Sequence, residues 1–517
     1  MLVNLKALFI VLVVGGLVFS LARPIALTFM AQSDFVRRRN LWFVLTAAGF
    51  LSPNIWVFAV IAAPLLVWGG RKDSNPVAFY LSLLLVVPAV SVDIPFVGIN
   101  HLFQLNSYRL LALCVLVPAA WRLHRAKDPI WSRHLRAMDL FLLAYGVILT
   151  AIFIPPDPST VHNVIYHDTP TNLLRRGVLF LLDVYLLYYV VSRFCTQRRV
   201  IVEALAAFCL ACVILAPIAV FESARHWLLY AEIGPRWGVP LAADTYFMRD
   251  AALRAQATAG HSIALGYLFA TALGCWLYLR SRVPSGTIRT LVAVMLGCGL
   301  LVTYARGPWF GAVAIYFAFH AVGARALPRL FKAAVAATVV GGLILMSPLG
   351  ERILWLLPYV GSPDAADTLL YRQRLAERAW ELIQQHPFFG QQLWYLQMQD
   401  LRQGQGIIDF VNTYAQIALF YGGVGLAAFA GVILIGTSRA YRAVRSVGAR
   451  DADLALLGKA LIACMCGTLL IIATCSLMPA IEQLLYVLVA MLGAYAQLAT
   501  AAARARVPAR SQVRVPA

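Results

Sequence analysis

The chain has 517 residues, of which 61% are hydrophobic and 13% are charged, and its net charge is +20. This balance excludes a soluble globular protein, because apolar runs of roughly 17–25 residues recur throughout and each can cross the ~30 Å hydrocarbon layer. It also argues against nucleic-acid binding, because the basic residues, nearly all arginines, are scattered through short segments between the apolar runs. The composition predicts an all-α polytopic membrane protein whose basic loops contact anionic lipid.

The apolar runs predict about 13 or 14 transmembrane helices, and we interpret the N-terminal run as a retained helix. The number depends on residues 24–54, where RRRN at 37–40 precedes a short run that SPN at 52–54 interrupts. A short spanning hairpin and a re-entrant element both fit this pattern. In chain order, the predicted spans are 6–22, 41–52 with 54–70, 76–91, 107–121, 138–154, 176–194, 200–221, 260–279, 288–305, 307–323, 331–346, 411–437, 457–478 and 480–500.

Basic residues predict the orientation of these helices, because lysine and arginine accumulate in short cytoplasmic loops. The basic segments fall on one side of the predicted topology, which we expect to be cytoplasmic together with the C-terminal tail. These segments are 122–136, 193–199, 280–289, 325–332 and 439–459. The predicted organisation is N-terminal helices at 1–221, an outer loop at 222–259, central helices at 260–346, a larger outer loop at 347–410, C-terminal helices at 411–500 and a tail at 501–517.

A single charge interrupts the apolar stretch LVTYARGPWFGAVAIYF at 301–317. The stretch predicts a tight hairpin between two apolar helices with Arg306 at its tip, on the side expected to be non-cytoplasmic, where arginine is scarce. A charged side chain near the centre of a membrane helix costs roughly 2.5–3.5 kcal/mol on lenient insertion scales. An arginine retained here predicts an anionic partner.

The first outer loop leads into the next helix through YFMRDAALRAQATAGHSIALGY at 246–267. Arg249 and Arg254 approach a predicted helix start at residues 260–262. A helix N-terminus favours an anion, and adjacent arginines strengthen that preference. His261 is either a general base or a satisfied interfacial residue.

The second outer loop contains TLLYRQRLAERAWELIQQ at 368–385, with the periodicity of a helix lying along the membrane surface. Arg372 falls in its apolar arc. It is predicted either to point into the protein, where a guanidinium needs an anionic partner, or to snorkel to water. The helix is expected to stop at HPFFG, since Pro387 cannot continue it and Gly390 supplies a turn. The apolar arc comprises Leu375, Ala376, Ala379, Trp380, Leu382 and Ile383, and the polar face comprises Arg374, Arg378, Glu381 and Gln385.

The same loop continues into a long apolar run through DLRQGQGIIDFVNTY at 400–414. Asp409 and Asn412 stand just before that run. Asp409 is either a general base whose pKa rises on partial burial or the N-cap of the helix that follows. The residues alone leave both readings open.

Four of these segments together resemble the O-antigen ligase and polysaccharide polymerase superfamily of bacterial inner-membrane glycosyltransferases. They are TYARGPWFG, RAQATAGHSIALG, RQRLAERAWELIQQHPFFG and DFVNTYAQIALFYGGVGLAAF, within roughly residues 200–440. In that family an arginine precedes the final Pro-x-x-Gly of the loop helix by about four helical turns, and Arg372 occupies that position here. Ligases of the family often have His–Asn at the start of the later span, with the histidine as their proposed base. Here the pair is Val411–Asn412, which favours a polymerase over a ligase.

The resemblance implies a GT-C-like, multi-pass protein of the bacterial inner membrane with its active face in the periplasm. It implies a glycan donor on undecaprenyl diphosphate, whose anomeric carbon is attacked by a hydroxyl of the acceptor glycan. The sequence of the outer loops contains no acidic cluster with metal-ligand spacing, so we expect a reaction without a metal or other cofactor. Arginine suits the diphosphate because it donates paired hydrogen bonds. The expected site residues are Arg254, Arg306 and Arg372 with Arg249 and Arg374 for the diphosphate, Asn412, Tyr304 and Trp380 for the sugar or acceptor, and Asp409 or His261 for the proton.

The implied function is polymerisation of lipid-linked repeat units into exopolysaccharide or O-antigen. Two alternatives are a ligase that transfers the glycan to lipid A-core or another acceptor, and a transporter or flippase for the same lipid-linked glycan. Transporters commonly contain inverted repeats, and none is visible in the sequence. The expected partners are the lipid-linked donor, the acceptor, membrane lipids, and a chain-length regulator and flippase.

Overall fold

The computed structural model of the protein describes residues 2–97, 101–125, 135–152, 170–239, 248–249, 252–322, 326–347, 350, 363–391, 393–402, 408, 410–448 and 450–505, and almost all of them are helical. The helices are α1 (Leu2–Ala26), α2 (Gln32–Leu51), α3 (Ile55–Lys72), α4 (Pro76–Leu83), α5 (Ser107–Leu111), α6 (Val117–Arg125), α7 (Arg136–Ala151), α8 (Pro170–Phe180), α9 (Leu186–Phe194), α10 (Arg198–Arg225), α11 (Ile233–Arg236), α12 (Ser262–Leu279), α13 (Gly286–Leu301), α14 (Arg306–Ala321), α15 (Ala326–Leu345), α16 (Pro363–Gln385), α17 (Thr413–Val447), α18 (Ala452–Ile472) and α19 (Pro479–Ala505).

Shorter elements complete the described chain. The π-helical turns Ala112–Leu116 and Leu181–Tyr185 continue α5 into α6 and α8 into α9, and 3-10 turns occur at Ala257–Ala259, Arg280–Arg282 and Trp394–Leu401. The strands β1 (Val92–Asp93) and β2 (Gln104–Leu105) form one antiparallel pair, and β3 (Met248–Arg249) and β4 (Ala252–Leu253) form another.

The all-α polytopic class predicted from the composition is confirmed. Within the described ranges, nine helices are long and apolar enough to cross a membrane. The predicted total is higher because it also counts helices of the bundle that are shorter, such as α7, α13 and α14, or charged, such as α2. The predicted span 76–91 is wrong in extent, because α4 ends at Leu83 and a loop follows.

The depth of a helix in the bundle follows from how much of its circumference is apolar. α10 is apolar on all sides over most of its length, and it packs centrally against α1, α4, α12 and α13. α1 lies at the edge, where Phe9 and Leu21 are 68% and 71% exposed and therefore face lipid.

Helices α14 and α18 approach each other closely through small residues. A methyl group at Gly311 would lie 2.3 Å from Ile471 Cγ1, and one at Gly467 would lie 2.8 Å from the carbonyl oxygen of Gly311. Small residues allow this in membranes, where close backbone packing is a main source of helix association. The contact fixes the first turn of α14 relative to the turn after α18.

One end of the bundle, called here the arginine-rich face, is marked by Arg198, Arg282, Asp451 and Asp453. Arg198 forms salt bridges with Asp451 and, at 2.9 Å, with Asp453, and Arg282 joins Asp453 at 2.6 Å. Three loops predicted to share a side of the membrane therefore meet. That this side is cytoplasmic stays a prediction.

The ambiguous segment at 24–54 contains the full helix α2, which pairs with α3 as a hairpin, and this favours the hairpin alternative. The RRRN motif lies inside α2. Arg38, 4% exposed, makes a bidentate pair with Asp73 at 2.6 and 3.0 Å and bonds Glu203 at 2.7 Å. The carboxylates of Asp73, Glu203 and Asp34 lie within 4.8 Å of one another, and the guanidinium joins this acidic group into a buried ion-pair network.

Candidate active site

The hairpin predicted around Arg306 is confirmed, since α13 ends at Leu301 and α14 begins at Arg306. In the connecting turn, Tyr304 has a left-handed backbone conformation (φ 48°), and its side chain is only 6% exposed. Arg306 is half-buried on the first turn of α14. Backbone N–H groups at such a helix start have no intrahelical acceptor and attract anions.

The segment that carries Arg254 lies directly against this hairpin. The N–H of Ala255 donates to the carbonyl oxygen of Val302 at 3.1 Å, and Arg254 Nε donates to the carbonyl oxygen of Thr303 at 3.4 Å. Two predicted arginine-bearing segments, separated by about 50 residues of chain, are therefore neighbours in the fold. Arg254 is half-buried there.

Glu222 stabilises the segment that carries Arg254 by accepting hydrogen bonds from its backbone. The sequence reasoning missed this residue. Its carboxylate, 1% exposed, accepts the N–H groups of Gln256 (3.0 Å), Ala257 (2.8 Å) and Leu229 (3.0 Å). A buried carboxylate is stable when several donors satisfy its oxygens. The available signal was an acidic residue at the end of an otherwise apolar run.

His261 is the N-cap of α12, and its Nδ1 accepts the N–H of Ile263 at 3.2 Å. Burial, and secondarily the positive charge of Arg254, lower the pKa of His261 to about 4. The ring is therefore neutral near pH 7, and with Nδ1 acting as an acceptor its proton resides on Nε2. In this geometry His261 offers a hydrogen-bond donor, which argues against the base role considered from the sequence.

A polar turn between α18 and α19, residues 473–478, contacts the start of α17. Thr413 Oγ1 donates to the carbonyl oxygen of Cys475 at 2.7 Å, and the Ser476 hydroxyl donates to the carbonyl oxygen of Phe410. The turn thus fixes where α17 begins.

The same turn also contacts the hairpin of Arg306. A methyl group at Gly307 would lie 2.2 Å from Thr474 Oγ1, so the first turn of α14 rests on it. The sequence reasoning assigned these residues to the end of span 457–478. The signal that was available is the polar run at 474–476 between two apolar segments.

Asn412 is the N-cap of α17, and its Oδ1 accepts the N–H groups of Tyr414 at 3.0 Å and Ala415 at 3.2 Å. The cap considered for Asp409 is therefore supplied by Asn412. Asp409 itself lies outside the described residues. Arg249 ends strand β3, and its side chain also lies outside the description.

Helix α16 confirms the predicted loop helix, and it ends at Gln385 as expected. The register of its buried face differs from the prediction. Arg372 and Arg374 are exposed, which agrees with the second of the two alternatives predicted for Arg372. Trp380 is 62% exposed, so the burial predicted for Trp380 is wrong. A stripe narrower than the predicted apolar arc packs on Trp394 and Phe410. This buried stripe comprises Leu375, Ala379 and Leu382.

The turn after α16, residues 387–391, docks on a break in α17 at Gly422, and we call this segment the docked turn. Gly390 and Gly422 both have positive φ (67° and 64°), and Gly422 lies inside the helix. The break exposes backbone groups that must be satisfied at membrane depth, and the turn satisfies them. The bonds run from Gly423 N–H to Pro387 O (2.7 Å), from Val424 N–H to Phe388 O (3.1 Å) and from Gln391 N–H to Leu419 O (2.6 Å).

Hairpin, loop helix and docked turn all fall within one segment that matches a known family. The family described as O-antigen ligase matches residues 291–430. No curated protein matches the chain. The protein is thus a polytopic membrane protein in which residues 291–430 are similar to the O-antigen ligase family, and its resemblance to the O-antigen ligase and polysaccharide polymerase superfamily is confirmed. Its function is of the O-antigen ligase or polymerase type in general.

Proposed function

We propose that the protein is a glycosyltransferase that polymerises undecaprenyl-diphosphate-linked repeat units at the face opposite the arginine-rich face. We take the face opposite the arginine-rich face to be the periplasmic side of the bacterial inner membrane. The observation that carries the proposal is the meeting of the Arg254 segment, the Arg306 hairpin and the polar turn 473–478 at one end of the bundle. The family match over residues 291–430 supports it.

The charges at this end suit a diphosphate leaving group. Arg254 bonds the turn that immediately precedes Arg306, so both guanidinium groups belong to one small region. Guanidinium groups donate paired hydrogen bonds to phosphate, and the positive end of the α14 helix dipole adds to the same field. Fixed positive charge stabilises the leaving group most when the bond to it breaks, and losing one such group typically lowers kcat by about 10²–10³.

The reaction forms a bond from the acceptor oxygen to the anomeric carbon and breaks the bond from that carbon to the diphosphate oxygen. The hydroxyl proton passes to a base, for which we assign Asp409. His261 suits a donor role, because its Nδ1 already accepts a backbone N–H. Arg372, Arg374 and Arg249 would hold the diphosphate from the loops, and the NH2 group of Asn412, the exposed ring of Trp380 and the hydroxyl of Tyr304 would contact sugar.

The test is polymer formation from a purified lipid-linked repeat by single variants of Arg306. Arg306→Ala is expected to lower turnover about 100-fold or more, and Arg306→Lys to retain part of it because charge remains without the bidentate geometry. Arg442→Ala is the matched control, since Arg442 is exposed on α17 close to the arginine-rich face. Full activity of Arg306→Ala would contradict the proposal, as would movement of the lipid-linked sugar without elongation.

A ligase is the second candidate, and the family described as O-antigen ligase is the observation that favours it. The two functions differ in acceptor. A polymerase extends the repeat in an assay that contains only lipid-linked repeat, whereas a ligase requires lipid A-core or another separate acceptor. Turnover that appears only when such an acceptor is added would assign the ligase.

A further inference from the structure

A cavity of about 800 Å³ lies at the arginine-rich face, at the opposite end of α12 from the candidate active site. It is lined by the turn between α1 and α2, the first turns of α10 and the 3-10 turn after α12. Its described lining includes three arginines and no carboxylate. The lining residues are Leu27, Thr28, Phe29, Met30, Ala31, Gln32, Arg198, Arg199, Val202 and Arg282.

Two of the three arginines are held in place by carboxylates. Arg198 pairs with Asp451 and Asp453, and Arg282 pairs with Asp453 at 2.6 Å. Arg199 is exposed. Three guanidinium groups against two carboxylates leave one net positive charge, and the carboxylates are not among the lining residues. The cavity is therefore arranged for one anionic group.

An apolar groove lies next to the cavity between α1 and α13, over the surface of α10. Phe29 lines both spaces, so they are adjacent. The groove is closed on the bundle side by Trp276 and Leu279 of α12 and flanked by Val292 of α13. Its remaining lining residues are Ala22, Ile25, Ala26, Ala206, Cys209, Leu210 and Val213.

One face of α10 runs through both spaces. Positions 199 and 202 line the cavity and positions 206, 209, 210 and 213 line the groove, a spacing that repeats every three or four residues. From Arg199 to Val213 the helix rises about 21 Å at 1.5 Å per residue. Half of a bilayer of about 40–45 Å, headgroups included, has the same depth. The combined site thus has the length of one leaflet.

We propose that this site binds one anionic phospholipid of the leaflet at the arginine-rich face, with its phosphate among Arg198, Arg199 and Arg282 and an acyl chain in the groove over α10. Charged phosphate oxygens suit guanidinium donors. The apolar groove favours a lipid over a free anion, because only a lipid has an acyl chain that can pack against its apolar walls. The site is separate from the glycan-transfer site and does not depend on the function proposed above.

The experiment is native mass spectrometry of the delipidated, full-length protein titrated with phosphatidylglycerol or with phosphatidylcholine of the same acyl chains. One molecule of phosphatidylglycerol is expected to bind more tightly than the rest and more tightly than phosphatidylcholine. Arg199→Gln is expected to lower that affinity about 10-fold, the effect of one charged hydrogen bond. Arg199→Lys should fall between wild type and Arg199→Gln, and Ala22→Phe, which fills the groove, should also weaken binding.

Arg442→Gln is the matched control, since it removes an exposed arginine of α17 that does not line the cavity. An equal loss in Arg442→Gln and Arg199→Gln would mean non-specific contact with anionic lipid and would overturn the proposal. Displacement of the bound lipid by inorganic phosphate, together with unchanged binding in Ala22→Phe, would reduce the site to an anion pocket and overturn it as well. Because Arg199 is exposed, its variants should keep the wild-type elution volume, which is checked by size-exclusion chromatography.

Discussion

Gly422→Ala is expected to release the docked turn from α17. A methyl group at this position would lie 2.2 Å from Phe388 O and 2.5 Å from Phe389 N, and both are backbone atoms that cannot rotate away. The backbone conformation (φ 64°, ψ −168°) is also close to one that only glycine adopts, at about 1–3 kcal/mol for other residues. The less costly response is to undock residues 387–391. That loses three hydrogen bonds, or about 3 kcal/mol at about 1 kcal/mol each.

Hydrogen exchange followed by mass spectrometry measures this release. About 3 kcal/mol corresponds to a roughly 100-fold faster exchange of the Gln391, Gly423 and Val424 amides. Exchange in α18, which takes part in none of these three hydrogen bonds, should stay as in wild type. Polymer formation should also fall, because the turn fixes the end of α16 and with it the position of Arg372 and Arg374.

Two further glycine variants, one next to Gly422 and one on α13, test whether the effect follows the predicted clash. In Gly423→Ala the new methyl group would meet Pro387 O at 3.1 Å, a contact that a small shift relieves, so a weaker effect is expected. In Gly297→Ala nothing lies within 4 Å, and exchange should not change. If Gly422→Ala exchanged at the same rate as Gly297→Ala, the proposed role of the docked turn would be refuted.

Three further predictions concern capping, titration and the buried ion pairs. Asn412→Ala should lower stability by about 1 kcal/mol through loss of the cap of α17, whereas Asn412→Asp should keep the thermal stability and lose turnover if the amide contacts the acceptor. His261 has a pKa lowered to about 4 against 6.5 in the unfolded chain. The stability that neutral His261 contributes is therefore complete above pH 6.5 and is lost as the pH falls toward 4. Over that range the melting temperature of the wild type should decline more steeply than that of His261→Asn, which keeps a capping acceptor. Arg38→Met should destabilise the protein by about 3–5 kcal/mol, because Asp73 and Glu203 stay buried without their partner. Thermal unfolding measures this effect. A loss of stability no larger than that of Arg39→Met would contradict the prediction.

Much of the candidate site was predictable because it depends on local rules. The hairpin at Arg306, the start of α12 at Ser262 and the stop of α16 before Pro387 follow from apolar runs, caps and a proline, all of which act within a few residues. The polytopic class follows from the length of the apolar runs alone. A turn at Gly390 was also expected, and the structure has positive φ there.

The predictions from sequence were wrong where contacts between distant segments of the chain determine which residues are buried. The periodicity of α16 defines a broad apolar arc, but packing on Trp394 and Phe410 selects only part of it, which leaves Arg372 and Trp380 exposed. The RRRN motif alone does not predict a buried position. Arg38 can be buried because Glu203, 165 positions away in the chain, supplies an ion-pair partner.

The sequence by itself therefore determined the class, the hairpin, the helix ends and the family to which the central segment is similar. Only the tertiary structure decided that the Arg254 segment bonds the Arg306 hairpin, that the turn 473–478 joins the hairpin to α17, and that α17 breaks at Gly422 to receive the docked turn. The physical reason is the distance along the chain over which each kind of interaction acts. Hydrophobic periodicity and caps act over a few residues along the chain, whereas these contacts are backbone hydrogen bonds and close packing between segments whose pairing no local pattern encodes.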